Sequence, residues 1–269
     1  MDFKYIEVVF GRIKKKIEEL EKTIIISGTE CSGKSHLLKK LNKYYENNKI
    51  ILFLTPTSAL ENLEYGVFLS TVSKIGEYNQ VVPVATEIIS DRNKILGVAS
   101  DFLINYKKNQ LQYQLFSFSE AEIEILNRIA LISKKRELLI LADDVEKWDS
   151  ESKKLLGKLI ALQNDIECSF FKDTVFVLAT NNIKSLNIKI SKYYQEVINV
   201  DLSYKTFSEE AKKINLSNDK IIHELYDITK GNIGLIANIK EYIDLSSLTG
   251  TESLQKQLFQ ILDKRITSS

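Results

Sequence analysis

The stretch Gly28-Thr29-Glu30-Cys31-Ser32-Gly33-Lys34-Ser35 constrains this chain more than any other feature. It has the form Gly-x-x-x-x-Gly-Lys-Ser. It lies between an apolar, β-branched run, Thr23–Ser27, and a segment of helical pattern from about Lys34 to Asn47. A strand, a tight loop and a helix N-terminus in that order form a phosphate cradle. The glycines let the backbone turn its N–H groups toward one point, and the helix end adds a favourable partial charge there. Lys34 is expected to reach the β- and γ-phosphates, and the Ser35 hydroxyl to reach Mg²⁺. The expected ligand is ATP with Mg²⁺, bound by Gly28 through Ser35, with His36 next in the helix. His36 reads as a solvated helix residue rather than a catalyst. Cys31 lines the loop through its backbone.

A second motif, Leu138-Leu-Ile-Leu-Ala-Asp143-Asp144, is an apolar strand ending in two acids. Downstream of a phosphate loop, Asp143 is expected to hold Mg²⁺ through water and Asp144 to orient or activate the attacking water. Aspartate is shorter than the glutamate usual at the second position in related ATPases, so hydrolysis is expected to be slow. A third strand end, Phe176-Val-Leu-Ala-Thr180-Asn181-Asn182, offers Asn181, then Thr180, as a polar group near the γ-phosphate if it lies beside the loop strand. Trp148 reads as a packing residue.

Further strands are expected at Ile50–Thr55, Asp173–Thr180 and Glu196–Leu202, with a helix at Ser150–Gln163. Apolar strands without polar alternation need a sheet covered on both faces, and alternation of β and α implies parallel, right-handed crossovers. Between Tyr65 and Lys135 helices are expected near Val67–Lys74 and Glu120–Ile132, the latter opened by a Ser119/Glu122 capping box. From Phe207 the pattern is helical only: one helix starting at Ser208, one over Asp219–Thr229 closed by Gly231-Asn232, and two more near Leu235–Ile243 and Glu252–Ile266.

With 269 residues, 44% hydrophobic and 27% charged, the chain can build a large core. A formal net charge of +1 gives no global pull toward nucleic acid. Lys14-Lys15-Lys16 among Glu18, Glu19 and Glu21 reads as a solvated helix face. Two cysteines, Cys31 and Cys168, and two histidines lack ligand spacing, which disfavours a structural disulfide or zinc site and suits a reducing cytoplasm. No apolar run is long enough to span a membrane, and Met1-Asp2-Phe3-Lys4 lacks a signal peptide's apolar core.

Four stretches resemble the AAA+-related ATPases of the STAND class (signal-transduction ATPases with numerous domains) and the origin-recognition ATPases. They are Phe10-Gly11-Arg12 with Glu18-Glu19-Leu20; the phosphate loop; Asp143-Asp144 through Asp149-Ser150 with Leu155-Leu156; and Thr229-Lys-Gly231-Asn232-Ile-Gly234-Leu235. The resemblance implies that Arg12 lies on the adenine side. It also implies that the last stretch belongs to a lid closing on the nucleotide. Where origin-type relatives carry an Arg finger, this chain has Ser191-Lys192-Tyr193, and the lid stretch has no Arg and no Pro. Lysine lacks the planar fork of arginine. These departures lean toward a nucleotide-controlled switch rather than a fast motor.

The expected architecture is α/β: a P-loop NTPase with a five-stranded parallel sheet in the order 5-1-4-3-2 over residues 1–204, then a small all-helical lid over 205–269. The expected activity is slow ATP hydrolysis that drives self-association or controls a protein partner, in regulation or antiviral defence by analogy with the family. The alternative is a DNA-linked ATPase: an initiator, loader or transposition helper. The chain continues only briefly past the lid, which suits a fragment of a larger protein or one component of a multi-protein system.

Overall fold

Burial on both faces shapes the central strands. In the computed structural model, β3 (Leu138–Ala142) and β4 (Thr174–Thr180) are buried along their whole length, and β1 (Thr23–Ser27) is buried up to Ser27. The structure describes residues 4–20, 22–56, 64–75, 119, 121–122, 125–126, 129, 137–163, 173–183, 196–213, 216, 218–232 and 234–236. With β2 (Ile50–Leu54) and β5 (Glu196–Asn199), these strands form one five-stranded sheet in the order β2-β3-β4-β1-β5, every pair parallel. Read from the other edge, this is the expected order. In register, Ile25 of β1 lies opposite Leu178 of β4 and Val197 of β5.

Alternate residues of each strand serve different cores, as the pleat requires. Ile24 and Ile26 pack with Ile13 and Ile17 of α1 (Lys4–Glu18) and with Leu37, Leu38 and Leu41 of α2 (Lys34–Tyr45). Ile25 faces the other way, into a core with Phe68 of α3 (Gly66–Ile75) and with Leu155, Leu156 and Leu159 of α4 (Ser150–Gln163). The run of lysines on α1 behaves as a solvated face: Lys14 and Lys15 pair with Glu18 and Glu19 one turn on.

The predicted capping box is formed. Ser119 N–H donates to Glu122 Oε2 at 2.8 Å, and Glu122 N–H donates to Ser119 Oγ at 3.3 Å. Lys158 of α4 then binds both oxygens of the buried Glu122, at 2.7 and 2.8 Å. The cap thereby ties that helix to the α4 layer.

Two boundaries differ from expectation by three residues or more. β5 ends at Asn199 rather than Leu202, because Val200–Leu202 turns beneath the phosphate loop. The next helix, α5 (Tyr204–Lys213), begins four residues before Ser208. Its early start lets fully buried Phe207 enter the core. α6 (Asp219–Thr229) has the expected bounds. Asn218 caps its start, and left-handed Lys230 (φ 53°) and Gly231 (φ 83°) end it. Phe207, Ala211, Ile222, Leu225 and Ile236 join the same core as β1 and β5, so this helical segment is packed onto the sheet. The helices expected at Leu235–Ile243 (beyond 236) and Glu252–Ile266, and the segment Ser191-Lys192-Tyr193, lie outside the described residues. No described helix is long and apolar enough to cross a membrane.

Candidate functional site

The phosphate loop joins the C-terminal end of β1 to the N-terminus of α2, with β4 and β5 on either side of β1. Ligands of open α/β sheets bind at this edge, where successive connections leave in opposite directions. Left-handed backbone at Cys31 (φ 62°) and Gly33 (φ 95°) curls the loop into a concavity of the kind that binds anions. At Gly33 the positive φ itself demands glycine, and an added Cβ would also come 3.0 Å from Ile6 Cδ1. Gly28 answers a different need: a Cβ there would overlap Val200 Cγ2 and lie 2.7 Å from Ser32 Oγ.

Lys34 is buried and arches back over its own loop, donating to the carbonyls of Gly28 and Thr29 at 2.9 and 2.7 Å. Ser35 Oγ donates to Asp143 Oδ1 at 3.0 Å. That bond joins the loop to the end of β3 across 108 residues of sequence. Asp143 Oδ1 also accepts from the Asp144 N–H at 3.0 Å. Burial raises the Asp143 pKa, with the Asp144 charge adding to the effect; the Ser35 hydrogen bond, the Asp144 N–H and the Lys34 charge oppose it. Trp148 is the packing residue expected. It is buried edge-on against Phe68, and its indole N–H holds the Asp143 carbonyl at 2.8 Å.

Asp144 adopts a left-handed conformation (φ 45°) that opens the short 3₁₀ turn Val145–Lys147. Its Oδ2 accepts from Lys147 Nζ at 3.0 Å, and the same ammonium lies 3.5 Å from Glu30 Oε1 of the phosphate loop. Asn181 stands exposed just past β4. Neighbouring Thr180 is fully buried and engaged: its carbonyl accepts from the Gly28 N–H at 3.3 Å, and its hydroxyl bonds within the 180–182 turn. Thr180 is therefore a support for the loop. His36, Cys31 and Glu30 are exposed.

Arg12 is not brought to the loop. It is exposed on α1, ion-paired to Glu196 of β5, which Lys16 also contacts at 3.0 Å. Tyr5 and Ile6, two turns earlier, are the α1 residues that reach the loop; Tyr5 donates its hydroxyl to the Ser32 carbonyl at 3.1 Å. Burial raises the Tyr5 pKa, and the negative charges of Asp201 and Glu210 raise it further.

Sequence reasoning had no signal for Tyr5 or Asp201. Asp201 follows β5 and accepts the Thr29 N–H at 3.0 and 2.9 Å and the Thr29 hydroxyl at 2.8 Å. Only the pairing of β5 with β1 brings it there. Asn232, seen in the sequence only as part of a lid motif, is buried against the loop and donates to Thr29 Oγ1 at 2.9 Å and to the Glu30 carbonyl.

The chain has the P-loop NTPase fold. The assignment rests on the strand order and on the loop between β1 and α2. No family model matches the chain. Over 102 residues, 37% of its length, it is 32% identical to the transcription-repair-coupling factor of Borreliella burgdorferi, and it spans 9% of that protein. Among solved structures it is similar to a STAND protein with a tetratricopeptide repeat sensor from Pyrococcus horikoshii. The identity is 18%, the TM-score 0.48, and 93% of this chain covers 32% of that one. It is also similar to Cdc6p from Pyrobaculum aerophilum (12%, TM-score 0.43, 79% of this chain on 51% of that one). AMPPCP-bound DnaA from Aquifex aeolicus is a third (16%, TM-score 0.43, 97% on 66%).

The donor set suits Mg²⁺. Ser35 and Asp143 present a hydroxyl and a carboxylate side by side, both oxygen donors, and no cluster of three His, Cys, Asp or Glu occurs among the described residues. Mg²⁺ favours few protein oxygens plus water and phosphate over an all-protein cage. Ser32 Oγ, buried in the loop, has no hydrogen-bond partner among the described residues, a polar atom that a phosphate oxygen could satisfy.

Proposed function

We propose that the chain is an ATPase that binds Mg·ATP in the 28–35 loop, hydrolyses it slowly, and uses nucleotide state as a switch that drives self-association or controls a protein partner. The bond between Ser35 Oγ and Asp143 Oδ1 carries the reading, because it joins the two halves of a phosphate-and-metal site. The loop N–H groups and Lys34 would bind the phosphates, and Ser35 and Asp143 would hold the metal. Bound Mg²⁺ supplies charge neutralisation at the phosphate oxygens. Asp144 would orient or take the proton of the attacking water, with Asn181 as a polar contact near the γ-phosphate.

Slow turnover is supported by the Lys147 ion pair, which occupies the carboxylate that must act on water. A switch is supported by the hydrogen bonds that Asn232, beyond α6, makes to the loop. The domain division at 204 and 205, with residues 205–269 as lid, belongs to the same proposal. Action in regulation or antiviral defence and a cytoplasmic location extend it by family resemblance. A DNA-linked role is the second reading, favoured by the stretch shared with the transcription-repair-coupling factor. ATP-dependent DNA binding that falls steeply with salt would select it.

The deciding experiment is ATP binding by wild type and Lys34→Ala, with size measured alongside. Losing a charge-assisted contact of about 1.5–3 kcal/mol should weaken binding by about ten- to a hundredfold. Equal affinity in the two proteins removes the loop assignment. If ATP changes neither assembly nor partner binding, the switch is lost.

A further inference from the structure

Thr29 carries one hydroxyl, and both of its hydrogen-bonding capacities are used across the fold. As donor it reaches Asp201 Oδ1, just after β5, at 2.8 Å. As acceptor it takes Asn232 Nδ2, just after α6, at 2.9 Å. A hydroxyl offers one proton and its lone pairs, so this is a complete relay. Asn232 extends it: its amide also donates to the Glu30 carbonyl, and its Oδ1 accepts the Leu235 N–H at 3.0 Å, capping the helical turn at 234–236. Asn232 is 2% exposed, so its amide could not lose these partners to water at no cost.

The backbone packs as closely as the side chains. A Cβ on Gly234 would overlap the Cys31 carbonyl, and one on Gly231 would overlap the Leu202 carbonyl. The Leu202 N–H donates to the Gly231 carbonyl at 3.1 Å, and the Val200 N–H donates to the Ser27 carbonyl at 2.8 Å. Three separate segments, 28–34, 200–202 and 231–235, therefore meet with no side chain interposed at the contacts of Gly231 and Gly234. A shift of the loop at Thr29 or Cys31 must displace the 231–235 segment or break its hydrogen bonds.

We infer that Asp201 and Asn232 are positioning residues for the phosphate loop, and that Thr29 links the loop's shape to the docking of residues 231–232 and the helical turn at 234–236. The inference rests on the loop being a nucleotide site, and it identifies the part that would pass nucleotide state onward. The Thr29 N–H is held by Asp201, so the relay uses the start of the loop and leaves the N–H groups near Gly33 and Lys34 to the phosphates.

Amide hydrogen exchange of the full chain tests this, with and without saturating Mg·AMPPCP, in wild type, Asn232→Ala, Thr29→Val and Thr29→Ser. Without nucleotide, Asn232→Ala and Thr29→Val should speed exchange in peptides covering 28–36 by about threefold or more, with Thr29→Ser near wild type. In wild type, nucleotide should slow exchange both at 28–36 and at 218–236. At nucleotide concentrations saturating each variant, Asn232→Ala and Thr29→Val should keep the slowing at 28–36 and lose it at 218–236. Unchanged loop exchange without nucleotide, or undiminished slowing at 218–236 in both variants, overturns the inference. No slowing at 28–36 in wild type would instead overturn the nucleotide reading, while the nucleotide-free comparison still decides the relay. Thr29→Val, which removes a single hydroxyl, serves as the test if Asn232→Ala does not fold.

Discussion

Replacing Lys147 by glutamine should raise the rate of ATP hydrolysis. Lys147 Nζ sits 3.0 Å from Asp144 Oδ2, with the lysine side chain 47% exposed and the aspartate 30% exposed. The hydrogen bond to Asp144 raises the Lys147 pKa, helped by the Asp144 and Glu30 charges, so the ammonium is charged throughout the working range. A half-exposed pair of this kind is worth about 0.2–1 kcal/mol after screening and side-chain entropy. If Asp144 must leave that pair to act on water, the same energy stands in the barrier, and its removal should speed turnover by roughly 1.4- to fivefold. The assay is phosphate release at saturating Mg·ATP, with binding measured separately so that a change in affinity is not read as a change in rate. Salt gives an internal control: wild-type turnover should rise with ionic strength as the exposed pair is screened, while the glutamine variant responds less. A rate that falls in Lys147→Gln refutes the reasoning and makes the lysine a contributor to the γ-phosphate.

Three further perturbations follow from the site. Asp143→Asn should raise the melting temperature of the nucleotide-free protein at neutral pH while abolishing the effect of Mg²⁺ on ATP binding. The folded-state pKa of Asp143 is raised by burial, so its stabilising contribution is complete below the unfolded value and is lost as pH rises through the folded value. The stability gap between variant and wild type should therefore close as pH falls below about 4. Gly28→Ala places a methyl into Val200 Cγ2 and should cost about 1–3 kcal/mol in urea unfolding and weaken ATP binding. Tyr5→Phe leaves the buried Ser32 carbonyl without its 3.1 Å donor and should cost about 1 kcal/mol, seen as a lower urea midpoint with an unchanged slope.

Much of the frame was legible because it is written in local pattern. Thr23–Ser27, Leu138–Ala142 and Thr174–Thr180 are apolar without alternation because they are covered on both faces, and periodicity reports that directly. The Ser119/Glu122 box and the bounds of α6 are likewise short-range chemistry. Misjudged boundaries were those set at long range. Val200–Leu202 reads as a continuation of β5; the Val200 N–H still bonds the Ser27 carbonyl, but the chain leaves the sheet there as Asp201 binds Thr29 and the Leu202 N–H binds the Gly231 carbonyl. Tyr204 carries no start signal stronger than that of Ser208. The burial of Phe207 against the sheet face decides where α5 begins.

The sequence by itself determined the chemistry of the loop: two glycines, a lysine and a serine at fixed spacing between a strand and a helix. The reason is that backbone curvature and the helix N-terminus are properties of a few consecutive residues. Tertiary structure alone decided what surrounds that loop. Asp143 reaches Ser35 through the sheet order, Asp201 reaches Thr29 through the pairing of β5 with β1, and Asn232 reaches Thr29 and the Glu30 carbonyl through the packing of α6. It also set Arg12 on Glu196 and gave the loop contact to Tyr5, which lies about two turns nearer the N-terminal end of α1. Such contacts join residues far apart in the chain, and their geometry exists only once the sheet has brought its strand ends to a common edge.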